Sequence, residues 1–498
     1  MRPIIFSISI LINMLAQATS ADVCHHFSAI KHDPIALYQF FKDMPKGGEL
    51  HYHLAGGALP EVMLSLAPHG NYCIDKTTYT ISHAQPKCHG ISLNSLQKHS
   101  PLYEKTLRSW SMKDFIPNTE SGPDHFFATF FKFFPIVSDY GPNLLAAVMK
   151  RAARQHELYL EIMILPDNGQ SSHFGELIKN TKHLVNKRKI LMANVAFREN
   201  IQRTMTESTH LLKKARQKLG CDSASPAPAC ALTIKFQYNI LREQPLDDLF
   251  AQALNAFVAA SKSQDLIGIN LVQAEDGPIS LRDYRRQMSV INFLHQTYPN
   301  VHVALHAGEL TNEKTGSNII DPKELRYHIH DAVFVGHAER IGHGVDIHHE
   351  DNSSALLDYM SKANIPVEIN FTSNRKILNI SGKKHPIQYY LTHHVPIVLS
   401  TDDEGILRTS LTQEYVEAAT QYGLDYSMIK RINRNALTYS FLPGKNLWKD
   451  VSQGHLVSEC QNFYSAACKT FISHSQKASL QWKLEIQLIQ FENTHCKL

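Results

Sequence analysis

The sequence predicts an α/β chain folded as a (β/α)8 TIM barrel. Three observations lead there. Short apolar segments rich in Val, Ile and Leu alternate with helical patterns through most of the chain, as expected for parallel strands buried on both faces. Motifs rich in His, Asp and Glu stand at the ends of those segments, where barrel enzymes place their chemistry. With the strand at His51–His53 there are eight strands alternating with helices, which favours a barrel over a doubly wound sheet, and neither the glycine fingerprint of a dinucleotide fold nor a phosphate loop occurs. A length of 498 residues is compatible with one elaborated barrel.

Residues 1–21 read as a secretory signal peptide. Arg2 gives a positive start, Ile4–Ala16 is an apolar run broken only by Ser and Asn, and small residues to Ala21 offer cleavage after Ala18 or Ala21. That run falls short of the roughly 20 residues that span a bilayer. The mature protein is expected to be exported, to a periplasm or outside the cell, with no membrane partner.

The barrel is assigned to residues 22–443. Asp33–Lys42 predicts a short helix and Gly48–His53 a brief strand. Residues 65–110, with Cys73, Cys88, Pro68, Pro86 and Pro101, suggest a disulfide-pinned insertion. Asp124–Phe131 predicts an aromatic helix that belongs to the core or in part lines a pocket. Further strands are expected at Leu158–Leu165, Leu232–Leu241, Leu266–Leu271, Val301–His306, Ala332–Val335, Ile365–Ile369 and Pro396–Ser400. Helices such as Leu246–Lys262, Leu281–His295 and Ser354–Ala363 separate them. Cys221–Cys230, containing Ser225, Pro226 and Pro228, reads as a surface loop. Residues 444–498 form a C-terminal extension whose Leu480–Phe491 stretch has helical spacing and is expected to pack on the barrel.

Composition excludes some classes. The hydrophobic fraction of 43% and charged fraction of 19% describe an ordinary globular protein with a large core. Net charge is +4 and the 50 basic residues are spread along the chain, which argues against a nucleic-acid surface. The eight cysteines are even in number and lie outside the chemical motifs, which in an exported chain favours disulfides. Sequence does not fix their pairing. Proximity suggests Cys73–Cys88, Cys221–Cys230 and Cys460–Cys468, leaving Cys24 with Cys496. Zinc binding by cysteine is the competing reading, but no C-x-x-C spacing is present.

Four motifs carry the chemistry. In His51-Tyr52-His53 the two imidazoles share one side of a strand and can meet one ion. His306 ends an apolar strand, and Ala307-Gly308 lets the chain turn so that Glu309 reaches the same opening. A carboxyl with a raised pKa there is a natural proton donor. His343 lies in Arg340-Ile341-Gly342-His343-Gly344, read as the loop after the Ala332–Val335 strand. Asp402 and Asp403 follow the last strand; one can ligate a metal while the other faces substrate. Three histidines and one aspartate suit zinc, which activates water near neutral pH.

These motifs, in this order, resemble the adenosine deaminase family over about residues 44–443. The signal, the pinned insertion and Trp110–Phe115 look more like its secreted, growth-factor-related branch. The resemblance implies a barrel of the metallo-dependent hydrolase type and one Zn2+ per chain, held by His51, His53, His306 and Asp402. It implies that Glu309 protonates purine N1, that His343 orients or deprotonates the attacking water, and that Asp403 bonds N7. Adenosine or 2'-deoxyadenosine would become inosine or 2'-deoxyinosine with release of ammonia. The partner is then a small purine nucleoside, with a homodimer left open. Three positions depart from the family pattern. Ala55 stands where shorter members carry an acidic residue thought to touch the sugar, Gln273 falls at or near a backbone-presenting glycine, and Glu404-Gly405 follows Asp403 where proline is frequent. Gln273 and Glu275 are therefore the candidates for sugar contact. Two other readings stay open: a deaminase of adenine or a modified adenosine, and a secreted binding or signalling protein that keeps the fold. The zinc deaminases that use cysteine ligands carry P-C-x-x-C, which is absent.

Overall fold

The computed structural model describes residues 25–84, 87–116, 120–312 and 320–495. The expected signal peptide and a Cys24–Cys496 pair lie outside these residues. The chain divides into two compact units. Of the described residues, those between 50 and 151 and between 160 and 410 form one, and residues 25–49, 152–159 and 411–495 form the other.

Eight parallel strands follow one another around a single sheet: β1 (Lys46–His53), β2 (Glu157–Ile164), β3 (Thr233–Leu241), β4 (Leu266–Val272), β5 (His302–Ala307), β6 (Arg340–His343), β7 (Val367–Ile369) and β8 (Ile397–Leu399). β1 and β2 begin in the second unit and end in the first. Closure of the barrel falls between β1 and the end of β8. There Tyr52 bridges Asp402, the His53 N–H donates to Asp402 O at 3.0 Å, and the Asp402 N–H donates to His51 O at 3.2 Å. The strands are buried on both faces, as their apolar sequences require.

One predicted strand is corrected. Ala332–Val335 is not a strand; Ala332 and Val333 lie in the helix His328–Phe334, with Ile329 buried beside them at helical spacing. A short apolar run does not distinguish a strand from a buried helical turn. The strand is instead β6, Arg340–His343, which pairs Ala304 with Arg340 and Ala307 with His343. Its polar sequence hid it. Consequently Arg340 is inside the barrel and His343 ends the strand itself.

The predicted insertion contains a three-stranded antiparallel sheet with Tyr72–Ile74 in the centre, flanked by Ile81–His83 and Ile91–Ser92, and the Cys73–Cys88 disulfide. Cys221–Cys230 and Cys460–Cys468 are also bonded, as proximity suggested. The aromatic helix runs from Gly122 to Arg154 and kinks at Tyr140, between Pro135 and Pro142.

In the second unit, Asp33 caps the helix Pro34–Asp43 by accepting from the N–H groups of Ile35 and Ala36. Phe40 and Phe41 of that helix join Phe27, Tyr426 and Phe491 in an aromatic cluster. The buried Lys46 amine donates to the carbonyls of Phe41, Met44 and Gln155. The helix Gln476–His495 contributes Ala478 to a small core with Leu447, Cys460 and Cys468, and Arg434 grips Glu485 with two nitrogens.

Candidate functional site

β1 ends by alternating inward and outward side chains. His51 and His53 face the barrel mouth, while Tyr52 points away and donates its hydroxyl to Glu404 Oε2 at 2.9 Å. His51 is fully buried and its Nδ1 lies 2.8 Å from Glu368 Oε2. That bond leaves the Nε2 lone pair facing Asp402 Oδ1, 3.4 Å away and without hydrogen-bond geometry. His53 Nε2 lies 3.3 Å from the same oxygen and 3.2 Å from His306 Nε2.

β5 delivers His306 at the mouth. Both its backbone N–H and its Nδ1 reach Asn270 Oδ1, at 3.0 and 2.8 Å, which turns Nε2 toward the other imidazoles. The chain then reverses at Gly308 (φ 73°), where a side chain would meet Asp346 Oδ1 at 2.5 Å and Ile329 at 2.7 Å. The turn brings Glu309 Oε1 to 3.7 Å from His343 Nε2. His343 and Asp402 both adopt left-handed backbone (φ 67° and 62°), a strain that clusters where side chains must be aimed. The Asn374 Oδ1 lies 3.0 Å from His343 Nδ1 and Ser373 donates to Asp402 Oδ2 at 2.8 Å.

The seven predicted catalytic and metal residues therefore converge. Ligand atoms of His51, His306, His343 and Asp402 lie within 4.8 Å of one another, and those of His53, Asp402 and Asp403 likewise. The nitrogens His51 Nε2 and His343 Nε2 are buried without a hydrogen bond. Unsatisfied buried lone pairs of this kind are costly unless a cation accepts them. The residues fit a divalent metal with nitrogen and oxygen ligands, the donor set zinc prefers.

Electrostatics support that fit. Burial, reinforced by neighbouring imidazoles, pushes His53 down to about 3, His343 down to about 4 and His306 well below the usual range, so all three are held neutral. Burial also disfavours a charged His51, but the adjoining Asp402 and Glu368 carboxylates outweigh it and raise His51 to about 9; the same carboxylates would welcome a metal cation. Asp402 resists burial through His51 and is held ionised. Burial and the neighbouring Asp402 push Glu309 and Asp403 well above the carboxylate range, so both are poised to donate a proton or hydrogen bond.

A cavity of about 1240 Å3 opens from these residues. Phe126, Phe127, Phe130, Phe131 and Phe134 of the aromatic helix form one wall, so that stripe does line a pocket. Ala55 and Gln273 also line it. Gln273 takes the left-handed conformation (φ 82°) that glycine adopts freely, and its Oε1 accepts the Glu243 N–H at 2.9 Å. Glu275 is a correction. It is only 1% exposed and does not line the cavity. Its oxygens instead accept the N–H groups of Gly308 and Glu309 and bond His328 Nδ1. The Gly308 and Glu309 N–H groups and His328 Nδ1 converge on it, so both carboxylate oxygens are engaged inside the fold.

Sequence reading missed Asn270, Glu368 and Asn374, which aim the imidazoles. A signal was available for two of them: Asn270 and Glu368 are lone polar residues inside strands buried on both faces. Such residues need partners.

Comparison with known proteins places this geometry. Residues 142–449 match the family model described as adenosine deaminase. An N6-methyl-AMP deaminase of Danio rerio is 36% identical over 143 residues, 28% of this chain and 37% of that protein. An adenosine deaminase of Klebsiella pneumoniae is 32% identical over 142 residues, 28% of this chain and 38% of that protein. These alignments span well under half the length of either relative. The crystal structure of an adenine deaminase from Arthrobacter aurescens superposes with a TM-score of 0.53 at 15% identity, covering 89% of this chain and 98% of that one. With more than half its length matched by the family model and a barrel of the same architecture, the chain belongs to the adenosine deaminase family.

Proposed function

We propose that the protein is a zinc-dependent hydrolytic deaminase of adenosine or 2'-deoxyadenosine. The observation that carries this reading is the 3.7 Å approach of the neutral Glu309 carboxyl to the neutral His343 Nε2, beside the cluster of His51, His53, His306 and Asp402. Zinc held by those four residues would supply, from water, a nucleophile effective at neutral pH. Glu309 donates its proton to purine N1 and so makes C6 electrophilic. His343, neutral and with a free Nε2 lone pair, accepts a proton from the water that attacks C6. Asp403, kept protonated, donates a hydrogen bond to N7. The C6–N bond then breaks, ammonia leaves, and the ring keeps the oxygen as inosine. The aromatic wall excludes water from the purine.

A second reading, a 6-aminopurine 5'-mononucleotide, has its own support. Arg203, His210 and Lys214 share one face of the helix Val195–Lys218 and line the cavity. The cavity also exceeds the roughly 300–1,000 Å3 of ordinary small-ligand sites. The similarity to an N6-methyl-AMP deaminase points the same way. Export is also proposed, supported by the signal-like N-terminus and three disulfides among the described residues.

The test is purified protein with its zinc content measured, offered adenosine, 2'-deoxyadenosine, adenine and AMP while ultraviolet absorbance is followed. A kcat/KM highest for the two nucleosides is expected. AMP ranking first would favour the second reading, and zinc-loaded protein inert toward every aminopurine would refute both.

A further inference from the structure

We infer that Glu275, held by His328, is a positioning residue that fixes the proton donor Glu309. The inference rests on the deaminase reading. Glu309 sits one residue beyond Gly308, on a turn that has no regular secondary structure to hold it. Its two amides are held by one carboxylate: Glu275 Oε1 accepts the Gly308 N–H at 3.1 Å and Oε2 accepts the Glu309 N–H at 2.7 Å, while the Gly308 carbonyl accepts the N–H groups of Val345 and Asp346 at 2.7 and 3.2 Å. On the opposite side of the turn, Asp346 and Ile329 close around Gly308 and leave no room for a side chain. The turn is thus clamped from both sides.

Glu275 is itself fixed. His328 Nδ1 lies 2.7 Å from Oε1, and Arg242 approaches Oε2 at 3.9 Å while bonding the carbonyls of Leu271 and His306. The His328 ring stacks on Tyr284 with centroids 3.6 Å apart and 9° between planes, and its Nε2 lies 3.5 Å from Glu324. Both Glu275 and His328 are buried. A charged carboxylate with no access to the cavity costs much desolvation, and it is retained where it can aim two backbone amides beside the reacting atoms. Charge-assisted bonds to N–H groups are shorter and stronger than neutral ones, which suits a clamp.

The experiment compares Glu275→Gln with the parent in four measurements: zinc content, kcat and KM separately, deuterium uptake of the peptide covering residues 305–312, and the same substitution in a Glu309→Gln background. The glutamine keeps volume but presents its amide hydrogens to one of the two N–H groups. A fall in kcat of about 10²-fold, the scale expected when a catalytic group shifts by about 1 Å, is expected with zinc content and KM little changed. Deuterium uptake across 305–312 should rise, and in the Glu309→Gln background Glu275→Gln should cost no further rate, because its effect passes through Glu309. A full, multiplicative loss in that background would overturn the inference, as would unchanged kcat or unchanged uptake. If Glu275→Gln does not fold, His328→Gln, which loosens the same carboxylate from outside, is read by the same four criteria. Should the parent itself deaminate nothing, the deaminase reading fails, whereas uptake across 305–312 still decides whether Glu275 holds the turn.

Discussion

His51 and His306 are the two ends of one buried hydrogen-bond chain that runs beneath the site. From His51 it passes to Glu368 at 2.8 Å, then through Arg340, which holds both Glu368 and Glu161 at 2.6 Å. Gln237 joins Glu161 at 3.0 Å and Asn270 at 3.3 Å, and Asn270 reaches His306 at 2.8 Å. Every member comes from a different strand: β1, β7, β6, β2, β3, β4 and β5. The orientation of two metal-facing imidazoles is therefore written into the barrel interior.

Glu368→Gln tests that chain. Losing the carboxylate removes the charge that orients His51 and one of the two carboxylates that Arg340 holds. Removing an orienting partner of a ligating histidine typically weakens metal binding about 10–100-fold. Breaking a buried ion pair on one side costs about 3–5 kcal/mol. Zinc affinity by chelator competition should fall by the first amount and thermal stability should drop. Unchanged affinity would mean that His51 needs no such support.

Gly56→Ala should act on Asp403 alone. A methyl at Gly56 would overlap the Asp403 carboxyl, while none of its three nearest neighbours belongs to His51, His53, His306 or Asp402. The expected result is full zinc content with kcat/KM lowered by at least about tenfold, equivalent to one lost hydrogen bond of roughly 1.4 kcal/mol in the transition state. An alanine variant with parental kcat/KM would remove Asp403 from substrate recognition.

How far the site was legible follows from residue type. His51, His306, Glu309 and Asp402 announce themselves because imidazoles and carboxylates at the ends of apolar strands have few structural uses. Periodicity does not reveal the strand carrying His343, because Arg340-Ile341-Gly342-His343 is polar by pattern and becomes apolar in effect only when Arg340 is neutralised across the barrel. The buried position of Glu275 is hidden from the sequence for a related reason. The departures at Ala55 and Gln273 point to Glu275 as a sugar contact, whereas its partners, His328 and the Gly308–Glu309 amides, are distant in sequence. Long-range pairing of buried charges is the part that periodicity does not carry.

Gln273 is expected to tune substrate choice more than stability. A non-glycine residue at φ 82° carries about 1–2 kcal/mol of strain, and the bond to the Glu243 N–H returns about 0.5–1.5 kcal/mol. Gln273→Gly relieves the first and loses the second, so stability should change by less than about 1 kcal/mol. The side chain lines the cavity, so the kcat/KM ratio of adenosine to adenine should shift by several-fold. A ratio unchanged in Gln273→Gly would place sugar discrimination elsewhere.

Glu350 predicts the pH dependence of stability. Its Oε1 accepts the N–H groups of Ile329 and His330, while Oε2 is buried without a hydrogen bond. Burial outweighs those two bonds and pushes the carboxyl up to about 7 from 4.5. Between pH 4.5 and about 7 the folded chain binds this proton more tightly than the unfolded chain, so stability from this group is present below 4.5 and is lost as pH rises through 7. At 1.36 kcal/mol per unit the full cost above pH 7 is about 3 kcal/mol. Glu350→Gln keeps a carbonyl to accept from Ile329 and His330 and never ionises. Its unfolding free energy should match the parent near pH 4.5 and exceed it by up to that amount at pH 8. Urea unfolding at the two pH values measures the difference. An advantage that is the same at both would show that Glu350 is ionised in the folded protein throughout, and that Oε2 has a partner able to hold its charge.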